Sequence, residues 1–199
     1  MIQAILFDFG GVIYRHPKDV IMPALMRIYN VPVDEARRAY EPFADGNMRG
    51  TIGSDEMVGG ISRALGSRLP VAEVEELWVK YYGEQVEADQ AVLKLVDRIR
   101  PRYKTYLLSN TTDLSDRYNR QTGIYSHFDG LFFSFRMGTL KPEAAMYAMM
   151  LQELKLNGDA CIFVDDRKEN LEQAKVFGIH TIHFDLLSDE VEVLRKGLT

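Results

Sequence analysis

The sequence predicts an α/β fold: a Rossmann-like parallel sheet flanked by helices, with a small α-helical cap domain. Three observations predict it. Short apolar runs rich in β-branched and aromatic residues, suited to burial on both faces, recur at Ile2 to Phe7, Thr105 to Leu108, Cys161 to Val164 and Thr181 to Phe184, with a shorter one at Leu131-Phe132-Phe133. Helical patterns separate these runs, and such alternation implies parallel strands with helices on both faces. The segment Tyr14 to Ala88, by contrast, contains no convincing strand and reads as helix throughout.

The first strand ends at Asp8, after which Phe9-Gly10-Gly11-Val12-Ile13 turns the chain tightly. The insert that follows reads as four helices, Asp19–Tyr29, Val33–Phe43, Ser54–Leu65 and Val71–Gln85, punctuated by Pro32, Gly46, Gly50, Gly53, Gly66 and Pro70. Met22, Met26, Met48 and Met57, with Trp78, Tyr81 and Tyr82, read first as filler of its own core. Asp89 suits the N-cap of a helix over Ala91 to Ile99, in which Val92, Leu95, Val96 and Ile99 share a stripe. Pro142 suits a first helical turn ahead of Met146, Met149, Met150 and Leu154. Lys168 to Phe177 forms another helix, closed by Gly178. The domains so defined are 1–14 with 89–199, the α/β core, and 15–88, the helical cap. An insert leaving the sheet at this point can act as a lid that excludes water and selects the substrate.

With 199 residues the chain can hold one good-sized core and a smaller appended unit. A net charge of −5 without a basic tract argues against nucleic acid as a partner; the densest basic stretch, Arg98, Arg100, Arg102 and Lys104, reads as a solvated helix end. No apolar run is long enough to span a bilayer, and Met1 is followed almost at once by a core strand rather than a signal peptide. Cys161 stands alone beside Ile162-Phe163-Val164 and reads as a buried core residue without a disulfide partner. The expected setting is the cytoplasm, with no membrane partner, as a monomer or homodimer.

Polar groups of complementary kinds stand just beyond the strands. Asp8 follows the first. Ser109-Asn110 follows Leu107-Leu108, Lys141-Pro142 follows the loop after Phe133, and Asp165-Asp166, with Asn170 one helical turn on, follows Ile162-Phe163-Val164. Each fragment alone has a plain structural explanation as a turn, a solvated lysine or an N-cap. In a parallel sheet the strand tips converge on one edge, the edge at which ligands bind. Together the fragments supply a carboxylate able to act as nucleophile, a hydroxyl, a cation and a second pair of carboxylates.

With these four motifs in this order, the sequence resembles the haloacid dehalogenase-like (HAD) hydrolase superfamily, mostly Mg²⁺-dependent phosphatases, over almost its whole length. The insert is similar to the cap found after the first motif in one large branch. The resemblance implies that Asp8 attacks phosphorus and forms an aspartyl-phosphate. It implies that Mg²⁺ is held by Asp8, the backbone carbonyl of Gly10 and Asp166, with Asp165 assisting directly or through water. Gly11, Ser109, the Asn110 backbone and Lys141 would hold the phosphoryl oxygens, so the catalytic set is Asp8, Ser109 and Lys141 and the partner a small phosphorylated metabolite, such as a sugar phosphate. The residue types suit that chemistry. An aspartate is ionised at neutral pH and needs no base, while a hard cation and a lysine offset its repulsion from the phosphate dianion.

One position departs from the family pattern. Its phosphatases usually carry an acidic residue two positions after the nucleophile, as proton donor to the leaving oxygen, and this chain has Gly10 there. The cap can supply a substitute, with His16, Asp45 and Arg49 as candidates. The substrate can have a good leaving group, as a sugar 1-phosphate does. Or the chain can bind a phosphorylated ligand with little turnover. A second enzymatic reading is 2-haloacid dehalogenation, against which the Asp165-Asp166 pair counts, because displacing a halide requires no metal. His127, His180 and His183 lack zinc-ligand spacing, and Ser109 has no recognisable His and acid partners.

Overall fold

The computed structural model describes residues 1–15, 19–186 and 191–198. Its elements in chain order are β1 (Ala4–Phe7), β2 (Tyr14–Arg15), α1 (Ile21–Tyr29), α2 (Val33–Met48), α3 (Ser54–Ala64), α4 (Val71–Gly83), β3 (Glu87–Ala88), α5 (Gln90–Ile99), β4 (Lys104–Ser109), α6 (Asp113–Thr122), β5 (Gly130–Phe133), α7 (Ser134–Met137), α8 (Ala144–Leu154), β6 (Cys161–Asp165), α9 (Lys168–Val176), β7 (His180–His183) and α10 (Val191–Leu198). Five strands form a parallel sheet in the order β5-β4-β1-β6-β7. Every residue of the central strand β1 is fully buried. Ile5 and Phe7 enter the core shared with α5 and α10, whereas Ala4 and Leu6 enter the core shared with α8 and α9. This is the alternation that a strand covered on both faces requires.

The insert has a core of its own, built from Leu25, Met57, Ile61, Val74 and Trp78. Its two ends meet in a short antiparallel ribbon, Tyr14 opposite Ala88 and Arg15 opposite Glu87. Leu114 of α6 is buried within the insert's cluster. Tyr118, one turn further on, packs edge-on to Tyr82 of α4, and Arg117 pairs with Glu75 and Glu76. Among the described residues no helix is long and apolar enough to cross a membrane.

Several expectations are corrected. The insert is bounded by the β2–β3 ribbon, too short to show a period. The second helix continues past Phe43 to Met48 and takes in Pro42 and Gly46, because its buried face continues through Tyr40 to Asn47, whose amide bonds Ile52 O and Ser54 Oγ. Gly46 is therefore a helical residue, placed where a Cβ would lie 2.5 Å from Ile52. Pro142 stands before α8 rather than in its first turn: the Lys141 N–H and C=O are both taken by the Asn110 side chain, and the helix starts only at Ala144. Met149 is exposed, and Tyr147 occupies the sheet-facing position instead, against Phe163 and Phe177. Met26 is also exposed, while Met22, Met57, Trp78, Tyr82 and Cys161 are buried as expected. The last strand lies one residue earlier than read, at His180–His183.

Candidate active site

Strand register brings the first and last motifs side by side. Phe7 pairs with Leu107 on one neighbour and Val164 on the other, which leaves Asp8 level with Asp165 and one residue short of Ser109. The Asp8 N–H extends the ladder to Val164 O at 2.8 Å. Lys141 arrives from the loop before α8, and its Nζ lies 2.8 Å from both Asp8 Oδ1 and Asp165 Oδ2. This triad is almost wholly shielded from water. A buried ammonium holding two carboxylates is tolerated only when the remaining hydrogen-bonding capacity is met. For Asp165 it is: Oδ1 accepts from Arg167 N at 2.8 Å, and the Asn170 amide lies 3.0 Å from both oxygens.

Asp8, Asp165 and Asp166 each offer an oxygen lying within 4.8 Å of the others. Burial is the main force raising the Asp8 pKa, to about 7; Asp165 and Asp166 raise it further against the opposing Lys141. Burial, then Asp165, also raises Asp166. Lys141 is lowered by burial, but Asp165 and Asp8 outweigh this and its net shift is upward. Three carboxylates against one ammonium leave the cluster short of positive charge. The donor set is all oxygen, so a hard divalent cation fits it. Gly11, at φ +79°, strengthens the fit: a Cβ there would lie 2.6 Å from Asp166 Oδ2, so the backbone passes directly beside that carboxylate.

The other expected residues divide. Ser109, at the end of β4, is buried, and its hydroxyl makes only a long 3.5 Å contact to the Asn110 carbonyl. The Asn110 side chain is spent on Lys141, accepting from its N–H at 2.8 Å and donating to its carbonyl at 2.9 Å. Gly11 was expected among the phosphate donors, but its N–H donates to Tyr14 O at 2.9 Å; the ribbon at the insert's neck takes that donor. Gly10 adjoins the same ribbon through a bridge to Tyr14. Of the candidate proton donors, His16 lies outside the described residues, whereas Asp45 and Arg49 pair with each other, and Arg49 also grips Glu143. Sequence reasoning missed Glu143. The signal was its place two residues after Lys141, at the start of a helix.

A doubly wound parallel sheet with a buried carboxylate–lysine–carboxylate triad at its carboxyl edge defines an α/β protein with a ligand site at the strand tips. The haloacid dehalogenase-like hydrolase family model matches residues 2–178, and the chain belongs to that family. It is 25% identical over 190 residues to a D-ribitol-5-phosphate phosphatase of Bacteroides thetaiotaomicron, with 91% of each chain covered. Its fold matches a HAD-like family hydrolase of Porphyromonas gingivalis with a TM-score of 0.82, at 23% identity over 100% of this chain and 98% of that one. It matches a HAD family enzyme of B. thetaiotaomicron, solved with magnesium and inorganic phosphate, with a TM-score of 0.78, at 20% identity over 98% and 100%.

Proposed function

We propose that the chain is a Mg²⁺-dependent phosphatase of the cytoplasm that hydrolyses a small phosphate monoester, such as a sugar phosphate, with Asp8 as nucleophile. The observation that carries this is the convergence of Asp8, Asp165 and Asp166 around oxygens within 4.8 Å, with Lys141 against two of them. The relative that acts on ribitol 5-phosphate and the related fold that holds magnesium and phosphate support it. Asp8 and Asp166 with the Gly10 carbonyl, assisted by Asp165, would hold Mg²⁺, which when bound would supply the positive charge that lets a carboxylate and a phosphate approach.

Asp8 attacks phosphorus, forming an O–P bond as the ester O–P bond breaks, and the leaving alkoxide takes a proton from water. Water then attacks the aspartyl-phosphate, releasing inorganic phosphate and restoring Asp8. Lys141 and Ser109 hold the phosphoryl oxygens, Lys141 by charge and Ser109 by its hydroxyl. Asn110 fixes the Lys141 backbone, and Asn170 fixes Asp165. The helical insert acts as the cap. Gly10 offers no proton donor, which favours a substrate whose leaving oxygen needs little protonation. Displacement of halide has no phosphate charge to neutralise and no need of a metal, so it would give the Asp165-Asp166 pair no role.

Phosphate release from p-nitrophenyl phosphate and from a panel of sugar and polyol phosphates, with Mg²⁺ and with chelator, tests the proposal. Hydrolysis is expected only with the cation and only with Asp8 intact. Turnover that persists in Asp8→Asn, or that is indifferent to chelation, would overturn it. Binding of phosphorylated ligands by folded protein that never turns over would identify a non-catalytic phospholigand protein.

A further inference from the structure

We infer that Arg49, at the end of α2 in the insert, is a positioning residue that acts through Glu143 on the loop carrying Lys141. Its guanidinium is bidentate to Glu143, Nη1 to Oε2 at 2.8 Å and Nη2 to Oε1 at 2.5 Å. The same carboxylate ties the loop together: Oε2 accepts from Thr139 Oγ1 at 2.8 Å and from Leu140 N at 3.3 Å, and the Glu143 N–H returns to Leu140 O at 2.7 Å. Lys141 stands inside this turn. Its backbone is held on the other side by Asn110 and its ammonium reaches Asp8. One carboxylate therefore joins the seating of the insert to the placement of the lysine.

A second contact fixes the same end of α2. Gly50, at φ +70°, lies so close to the backbone that precedes Arg136 that a Cβ would be 2.0 Å from the Phe135 carbonyl oxygen. The insert is thus seated on the core main chain next to the Arg49–Glu143 pair. A planar fork matched to a carboxylate sets direction as well as distance, which a lysine ammonium does not reproduce. Asp45 holds the guanidinium from behind through Nε at 2.8 Å, so the fork is presented to Glu143 already oriented.

This inference rests on Lys141 serving the phosphoryl group. It is tested in the full-length protein with Arg49→Ala, Arg49→Lys, Glu143→Gln and the double variant Arg49→Ala/Glu143→Gln. For a phosphate monoester that the wild type hydrolyses, Arg49→Ala should lower kcat about 10- to 100-fold, the scale of a displaced catalytic group, with KM changed little. Glu143→Gln should match it, the double variant should be no worse than either single one, and Arg49→Lys should recover only part of the loss. A rise in KM at unchanged kcat, or losses that multiply in the double variant, would overturn the inference and make Arg49 a substrate contact. Amide exchange supplies a readout independent of turnover. The Leu140 amide should exchange several-fold faster in Arg49→Ala, while the Asp8 amide, which bonds Val164, stays protected. If the wild type hydrolyses nothing, the phosphatase reading fails and amide exchange still decides whether Arg49 orders the loop. Unchanged Leu140 exchange would overturn the inference in either case.

Discussion

The Cα of Gly11 faces the carboxylate of Asp166 so closely that an added Cβ would lie 2.6 Å from Oδ2 and 2.7 Å from Cγ. The residue is also left-handed, at φ +79°, and its N–H and C=O are committed to Tyr14 and Leu186. Gly11→Ala must therefore displace Asp166 and strain a backbone that cannot turn away. The strain costs about 1–2 kcal/mol. Moving one carboxylate of a cation site is expected to weaken Mg²⁺ binding about 10- to 100-fold. Isothermal titration with Mg²⁺, beside thermal melts in chelator, separates the two effects.

The Asp8 carboxyl, raised to about 7 mainly by burial, makes metal-free stability depend on pH. The folded state binds more protons than the unfolded chain between the ordinary carboxylate value of 3.8 and about 7. Stability is therefore full below that window and falls as pH rises through it, by an amount on the order of a few kcal/mol. Asp8→Asn should flatten this slope and melt higher than wild type at pH 8 in chelator, although it is inactive. Adding Mg²⁺ should reverse the ranking. Melting curves from pH 4 to 8, with and without the cation, check both statements; a wild-type slope unchanged by the substitution would remove Asp8 as its source.

The sheet and its polar tips were legible because β1, β4 and β6 are buried on both faces and leave unbroken apolar runs, each followed by a polar break. Helix α6 was not legible. Asp113–Thr122 carries Leu114 as its only aliphatic residue, and several of its contacts come from the insert, from Tyr82, Glu75 and Glu76. The pairing of Arg49 with Glu143 spans 94 positions, and no local pattern marks such a contact. Gly11 shows a subtler limit. Its place in the motif suggested a free donor, whereas the N–H is taken by the Tyr14 carbonyl, in a ribbon of two residues per strand that has no periodic signature.

Gly10 lies outside the left-handed region, so its backbone conformation does not bar a side chain. Gly10→Asp would place a carboxyl two residues beyond Asp8, the proposed nucleophile, where it can protonate a leaving alkoxide and later activate water. General acid–base assistance is worth about 10²–10⁴-fold. The gain in kcat should be large for alkyl monoesters and small for p-nitrophenyl phosphate, whose leaving group needs no proton. Comparing the two substrates in wild type and variant tests this; equal effects on both would mean that the proton comes from elsewhere.

Leu114 belongs by sequence to the sheet's own helix α6, yet it is 1% exposed within the hydrophobic cluster of the insert. The helix begins three residues after Asn110, whose amide holds Lys141. Losing the Leu114 side chain therefore opens a cavity in the insert's core from a helix of the α/β unit. Leu114→Ala should cost about 2–5 kcal/mol. If α6 is what unites the insert with the α/β core, one cooperative melting transition in wild type should separate into two in the variant, with the amides of α3 and α4 exchanging first. The Ser54–Asp113 hydrogen bond beside the cavity joins the same two units, so Ser54→Ala should push in the same direction by about 1 kcal/mol. A Leu114→Ala protein that melts lower but still in a single transition would mean that the β2–β3 neck and the seat at Gly50 are sufficient to bind insert and core into one folding unit.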